Sequence, residues 1–572
     1  MQLVRRLRIP ALFCALAVLL CELISRPYTT MGIADDSPYI LMARTLATTG
    51  HIAYNGWGAP MLGWQLYLGA ALIKLFGFSF TAVRGSTVLV AMALAFILQR
   101  ILVRSNINER NATLGTVTLV LSPLYLMLSV TYMTDIFGLF AIVICLYGCI
   151  RALQSSASRS TTLWLCFAVI TNALCGTSRQ IAWLGLLVMV PSTLWLLRAQ
   201  RHVLFAGAAA NLAGAVFILA CMHWLKRQPY SIPEQVLPDT FAIVNTLRQL
   251  FYTFIDLPFL LLPVVVVFLP SLRKGSRAVL AALAVVALIY TLLALHDRHL
   301  AQNLMLLPAH GDWAGIYGIY EVILQSYPPV YLPTSVQVLL TIVCIGGVFG
   351  LIAVAFRRPP AIAAPTPSPA LSWHQLTVLL APFTLAYTLL LVPRAAKSDL
   401  FDRYLLALLL VALICLVRYY QERIQPQIPL VCVLLVVLMA VYGIAVTHNM
   451  FSFYRARVAL AAELRAHGVP DTSVDNGWDY NFGVELQHAP SINFPAIVIP
   501  AHAYIPTPPL PAGTCPMFYS DYTPHIRPLY AVSFTPDACY GLAPFAPMHY
   551  SRWPYRTPGT LYVVRSTPPA KP

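Results

Sequence analysis

Ile428-Pro-Leu-Val-Cys-Val-Leu-Leu-Val-Val-Leu-Met-Ala-Val-Tyr-Gly-Ile-Ala-Val-Thr447 carries no charged residue over its whole length. Wound as an α-helix, a run of this size spans about 30 Å of hydrocarbon. Backbone in lipid has no water to bond, so the run reads as a transmembrane helix; a transmembrane strand would be about half as long. Comparable runs lie near 7–24, 81–102, 112–130, 136–153, 161–177, 181–197, 203–225, 250–271, 277–295, 336–356, 376–392 and 403–419. The expectation is an all-α polytopic membrane protein with about thirteen transmembrane helices. Composition points the same way. The 572 residues are 59% hydrophobic and 10% charged, whereas soluble globular chains carry about 25% charged residues. A soluble enzyme, a disordered chain and a disulfide-rich secreted module are excluded.

Residues 62–77 are apolar but short, and they include Gln65 and Lys74. Charge decides whether they cross. If they do not, the inner loops hold Arg5/Arg6/Arg8, Arg100/Arg104/Arg110, Arg151/Arg159, Arg198/Arg201, Arg273/Lys274/Arg277, Arg357/Arg358 and Arg418/Arg423, so every inner loop is basic. If they do, the bias reverses, against the tendency of Lys and Arg to stay cytoplasmic. Residues 62–77 are therefore read as an interfacial or re-entrant helix. The first run, preceded by Arg5, Arg6 and Arg8, reads as an uncleaved first helix with its N-terminus in the cytoplasm. Net charge is +16. Its basic residues are spread over many short loops, which fits topology and gives no reason to expect a nucleic-acid partner.

This orientation sends Asp35, Asp36, Asp135, Asp239, Asp256, Asp297, Asp312, Glu321, Asp399 and Asp402 to the outer side, and leaves Glu109 and Glu422 inside. Three outer segments are long enough to fold, 25–80, 226–249 and 296–335. In the first, Ser37-Pro-Tyr-Ile-Leu-Met-Ala-Arg-Thr-Leu-Ala47 predicts a short amphipathic juxtamembrane helix ended by Gly50. Residues 357–371 read as an inner Pro-rich linker. Past 447 the chain turns polar and Pro-rich, with 19 Pro in 470–572. That predicts a transmembrane domain over 1–447 and a small outer domain or tail over 448–572, with long helices excluded from the latter. Of twelve cysteines only Cys515 and Cys539 lie in polar sequence, and they could form a disulfide in an oxidising compartment or stay as two thiols.

Asp35 and Asp36 follow the first span directly, and Asp135 sits in a short outer turn. Adjacent carboxylates persist where they bind a cation, take up a proton or face water, and an acid at the junction of two spans is either part of a site or, for Asp135, a cap on the helix that starts at 136. Beyond them come Leu75-Phe76-Gly77, Arg84 at the mouth of the second span, Arg179 in the tight turn 176–180, and Phe401-Asp402-Arg403-Tyr404-Leu405.

In this order the residues resemble the C-type superfamily of integral-membrane glycosyltransferases, and within it the bacterial relatives of protein mannosyltransferases and of the lipid A aminoarabinose transferase. The Lys-Pro-Pro-Leu signature of many members reads Gly58-Ala-Pro60-Met-Leu62 here, and the first motif is Asp-Asp rather than Asp-Glu. The resemblance implies an inner-membrane enzyme, inverting in mechanism, that moves a sugar from a polyprenyl-phosphate donor to a glycan, lipid or protein acceptor on the outer face. It implies Asp35 as general base, with Asp36 or Asp135 orienting the acceptor. Asp35 and Asp135 would be the ligands if a divalent cation, Mg²⁺ or Mn²⁺, takes part. Arg84, Arg179 and Arg403 would bind the donor phosphate; each could equally be a snorkelling anchor. The loop His296-Asp-Arg-His299 to Trp313 reads as solvated or acceptor-binding. A carrier of lipid-linked sugars, or a scaffold without catalysis, is the rival reading. Against the carrier, no internal repeat is evident and the acids gather at one face.

Overall fold

The computed structural model describes residues 8–57, 63–232, 241–254, 256–296, 324–326, 332–357, 371–397 and 400–568. The expected loop 296–313, the linker 357–371 and the segment Gly58–Leu62 fall largely or wholly outside these residues. In chain order the helices are α1 (Ile9–Ser25), α2 (Asp36–Thr49), α3 (Trp64–Phe76), α4 (Phe80–Arg104), α5 (Glu109–Val120), α6 (Pro123–Ser129), α7 (Thr134–Leu153) and α8 (Ser158–Cys175). They continue as α9 (Val190–Leu196), α10 (Arg201–Leu225), α11 (Ile243–Phe254), α12 (Leu257–Leu260), α13 (Leu262–Val265) and α14 (Arg277–His296). The last are α15 (Thr334–Arg357), α16 (Trp373–Lys397), α17 (Leu406–Arg423), α18 (Val431–Ala466) and α19 (Trp478–His488).

Among the described residues eight helices are long and apolar enough to cross a membrane: α4, α7, α8, α10, α15, α16, α17 and α18. A ninth span results if α5 and α6 count as one. This is a multi-pass membrane protein. The expected thirteen is not reached, because several apolar runs are short or broken. Residues 112–130 bend by 66° between α5 and α6, where Ser122 caps Tyr125 and Pro123 opens the next helix without an N–H. Residues 181–197 pass through a 3₁₀ turn and a π turn before α9. There the Asn172 side chain enters the ladder, donating to Ala182 O and accepting from Leu186 N. Residues 250–271 are broken into short pieces opened by Pro258 and Pro263, and then continue as a 3₁₀ helix that contains Pro270.

α3, at 13 residues, is roughly 20 Å long and too short to span. Trp64 Nε1 donates to Cys175 O (3.0 Å) and Gln65 Nε2 to Tyr132 O (2.9 Å), so α3 lies across two interhelical turns at one end of the bundle. The opposite end gathers the basic loops. Arg104 donates to Gln154 (2.8 Å), Asn106 to Glu422 (3.2 Å), and Arg418 pairs with Glu422 (2.8 Å). α1 also carries a residue that hydropathy passes over. Glu22 is buried inside the first apolar run and accepts from Ser129 Oγ (2.6 Å).

The boundary expected at 447 lies inside α18, which runs unbroken to Ala466. Past the apolar run, Arg455-Ala-Arg-Val-Ala-Leu-Ala-Ala-Glu-Leu-Arg-Ala466 keeps strong helix formers, so nothing stops the winding. Beyond it the chain folds into a small domain. Four strands, β1 (Val474–Asp475), β2 (Tyr530–Ser533), β3 (Met548–Tyr550) and β4 (Gly559–Arg565), form a sheet of order β1-β2-β4-β3. β1 and β2 are parallel, and β4 pairs antiparallel with both β2 and β3, setting Ala531 against Val564 and Met548 against Leu561. None of the strands contains a proline. Cys515 is joined to Cys539, with the Cα atoms 6.0 Å apart.

Candidate active site

Asp36 and Arg84 do not face an outer cavity. Arg84 Nε and Nη2 donate to the two Asp36 oxygens at 2.7 and 3.0 Å. Ile33 N (2.8 Å) and Tyr132 N (3.2 Å) fill the remaining acceptor positions. The two side chains are 0% and 2% exposed. The structure places Asp36, expected to orient the acceptor, and Arg84, expected at the donor phosphate, in a buried tie between the first loop, α4 and the turn before α7.

The structure does gather Asp135, Arg179 and Arg403. They line one small cleft together with Gly138, Tyr387 and Leu406. Asp135 stands in the first turn of α7, and Arg179 in the extended residue between two 3₁₀ turns after α8. Arg179 Nη1 bonds Asp135 Oδ1 and Thr134 Oγ1. Burial draws the Arg179 guanidinium down, but Asp135, Tyr387 and Tyr404 outweigh it and leave the group above its ordinary value. It stays cationic. Asp135 Oδ2 is buried and has no hydrogen-bond partner among the described residues, so it can accept from a bound hydroxyl.

Arg403 enters from the 3₁₀ turn Asp402–Leu405, which leads into α17. Three guanidiniums surround the Tyr404 ring: Arg179 at 5.2 Å, Arg394 at 5.7 Å and Arg403 at 5.7 Å from its centroid. Arg394 Nη2 also donates to Tyr404 OH (3.2 Å), and Tyr387 OH donates to Tyr404 O (3.0 Å). The ring face offers an apolar, electron-rich platform that lets three cations converge. Arg394, Tyr387 and Tyr404 were not among the expected site residues. The signal for Tyr404 was its place beside Arg403 in the motif; nothing in the sequence brings Tyr387 there.

Asp35 reaches this cluster from the first outer loop. Its Oδ2 lies 4.0 Å from Arg403 Nη2, its side chain is 31% exposed, and its Oδ1 accepts from Trp57 Nε1 at 3.0 Å. Asp35 is thus the accessible acid of the Asp-Asp pair. Trp57 orients it through that bond. The carboxylates do not suit a divalent cation. Asp35 and Asp135 each face an arginine, and no group of three or more His, Cys, Asp or Glu converges among the described residues. No step below is routed through a metal.

No family model matches the chain, and no curated protein matches it. Among solved structures it is similar to apo ArnT from Cupriavidus metallidurans, with 13% identity, 81% of each chain covered and a TM-score of 0.39. It is also similar to the Archaeoglobus fulgidus oligosaccharyltransferase AglB in complex with an inhibitory peptide and a dolichol-phosphate, with 13% identity, 90% of this chain and 63% of that one covered, and a TM-score of 0.39. A third is the S. cerevisiae protein O-mannosyltransferase Pmt1-Pmt2 complex bound to the sugar donor, at 14% identity, 37% and 32% coverage and a TM-score of 0.30. At these scores the likeness is loose, and the chemistry has to be argued from the side chains.

Proposed function

We propose that this protein is an integral-membrane glycosyltransferase that moves a sugar from a polyprenyl-phosphate-linked donor to a hydroxyl-bearing acceptor on the outer face of the cytoplasmic membrane. The observation that carries the reading is that Asp35 lies beside Arg403, which lines one cleft with Arg179 and Asp135, with Arg394 joining the two arginines across the Tyr404 ring. An open carboxylate beside converging guanidiniums suits a reaction that removes one proton and develops charge on a phosphate.

In this reading the donor phosphate sits against Arg179 and Arg403, and its lipid tail lies along the bundle. Asp35 takes the proton of the acceptor hydroxyl. The oxygen attacks the anomeric carbon from the face opposite the phosphate, the carbon–oxygen bond to phosphate breaks, and polyprenyl phosphate leaves with the electron pair. Configuration inverts. Asp135, through Oδ2, accepts from a sugar or acceptor hydroxyl. The new charge on the leaving phosphate is met by planar, bidentate donors, which is where arginine surpasses lysine.

The test is transfer of label from a panel of radiolabelled polyprenyl-phosphate sugars in membranes holding the full-length chain. Asp35→Asn is expected to lower incorporation by about 100-fold or more, the scale of losing a positioned base. Undiminished incorporation would sink the assignment.

A further inference from the structure

We propose that the C-terminal domain is part of the catalytic apparatus, because it positions Asp35 through two residues, Trp57 and Tyr454. This rests on Asp35 acting as the base. Two independent sets of contacts lead to it.

The first holds the side chain. Trp57 Nε1 donates to Asp35 Oδ1, and the Trp57 ring lies in an aromatic cluster built by the outer domain: Trp478 at 4.4 Å, Tyr519 at 5.5 Å, Tyr522 at 5.8 Å and Phe494 at 6.0 Å between centroids. The loop that carries the ring is pinned on both sides. Asn55 O accepts from Ile492 N (2.9 Å), and Gly56 N donates to Tyr230 O (3.0 Å). Gly56 has φ +77°, and a Cβ there would stand 2.7 Å from Ile497 Cδ1 and 2.9 Å from Ile492 O. Only glycine allows the loop to lie this close to the domain. The indole is thereby locked, and its N–H points at the carboxylate.

The second holds the main chain. Ala34, immediately before Asp35, has φ 49°, a left-handed conformation that a residue with a Cβ adopts only when its surroundings enforce it. Its N–H donates to Tyr454 OH (3.3 Å). That hydroxyl has one proton, which it gives to Asp479 Oδ2 (3.0 Å) on α19, and Asp479 is paired with buried Arg457 (3.1 Å). Tyr454 and Arg457 sit on the part of α18 that continues past the bilayer. Backbone and side chain of the base are thus both set by the outer domain. Packing alone would require neither the indole N–H nor the phenol O–H.

Tyr454→Phe deletes one polar atom and keeps the ring; Trp57→Phe deletes the indole N–H and leaves a smaller aromatic ring in the cluster. In the membrane transfer assay each is expected to lower kcat by about tenfold or more, as misplacement of a reacting group does. Donor KM should stay within about twofold, since the arginines that hold the phosphate are untouched. Thermal unfolding of the purified full-length Tyr454→Phe chain should shift little, while Trp57→Phe, which also loses ring packing, is read on the split between kcat and donor KM. The proposal falls if both variants keep wild-type kcat while Asp35→Asn abolishes transfer; the base assignment then survives without it. It falls equally if kcat, donor affinity and folded fraction drop together, which is general loosening. Full activity of Asp35→Asn would instead remove the function on which it rests.

Discussion

Asp36 accepts four N–H groups and shows no surface to solvent, while Asp35, one position earlier, is about a third open and meets an arginine and an indole. Removing the partner of a buried charge leaves that charge uncompensated. Arg84→Met should therefore lower the unfolding free energy by about 3–5 kcal/mol, read by thermal or denaturant melting, while the protein that remains folded keeps its donor KM. A phosphate ligand would give the opposite pattern. At Asp479 the sign of a pH effect can be worked out. Burial pushes its carboxyl up to about 6, outweighing Arg457 and the Tyr454 hydroxyl. In the unfolded chain the group titrates near about 4. The folded state binds the proton more tightly, so its stabilisation is complete below about pH 4 and is lost as pH rises through the folded value. Burial raises Asp475 in the same direction. Amide exchange in α19, corrected for intrinsic rate, should show less protection at pH 7 than at pH 4, and Asp479→Asn should flatten the difference.

The helices matter for what they bring side by side. α7 carries both Asp135 and, one turn later, Gly138, and the Arg179 stem lies flat on that glycine. A Cβ at 138 would meet Arg179 Cδ at 2.7 Å and Cβ at 3.0 Å. Gly138→Ala should swing the guanidinium off its carboxylate and raise donor KM by about tenfold, ~1.4 kcal/mol, with kcat less affected. α3 braces the same corner, since it holds the turn before Asp135 through Gln65 and the turn before Arg179 through Trp64. Length and loop charge show α3 to be a short helix that does not cross, but not that it grips two loops about 70 and 110 residues further on, as the separations of these bonds show. The bend between α5 and α6 has the same character. Ser122 and Pro123 carry a local break signal, which hydropathy summed over the whole run 112–130 hides.

Over the whole molecule two polar ends separate. One holds Asp35, Asp135, Arg179, Arg403 and the C-terminal domain; the other holds Arg104, Arg110, Arg418, Glu422 and their loops. α4 connects them, from Arg84 near the first to Arg104 at the second. Reporter fusions should therefore report residues 50 and 568 in the extracytoplasmic space and residues 106, 155 and 425 in the cytoplasm; residues 50 and 155 on one side would end the shared-cleft proposal.

The apolar runs by themselves determined that this chain lives in a bilayer as helices, because burying backbone in lipid leaves no other economical geometry. The distribution of charge along the loops placed Asp35, Asp135, Arg179 and Arg403 at one end, because each span reverses direction. Tertiary structure alone decided which neighbouring carboxylate is spent on Arg84 and which stays open, that Arg394, Tyr387 and Tyr404 complete the cleft, and that Trp57 and Tyr454 reach Asp35. The reason is physical. Hydropathy is a sum over local residues, whereas a hydrogen bond or ion pair depends on which distant segments the packing sets a few ångströms apart.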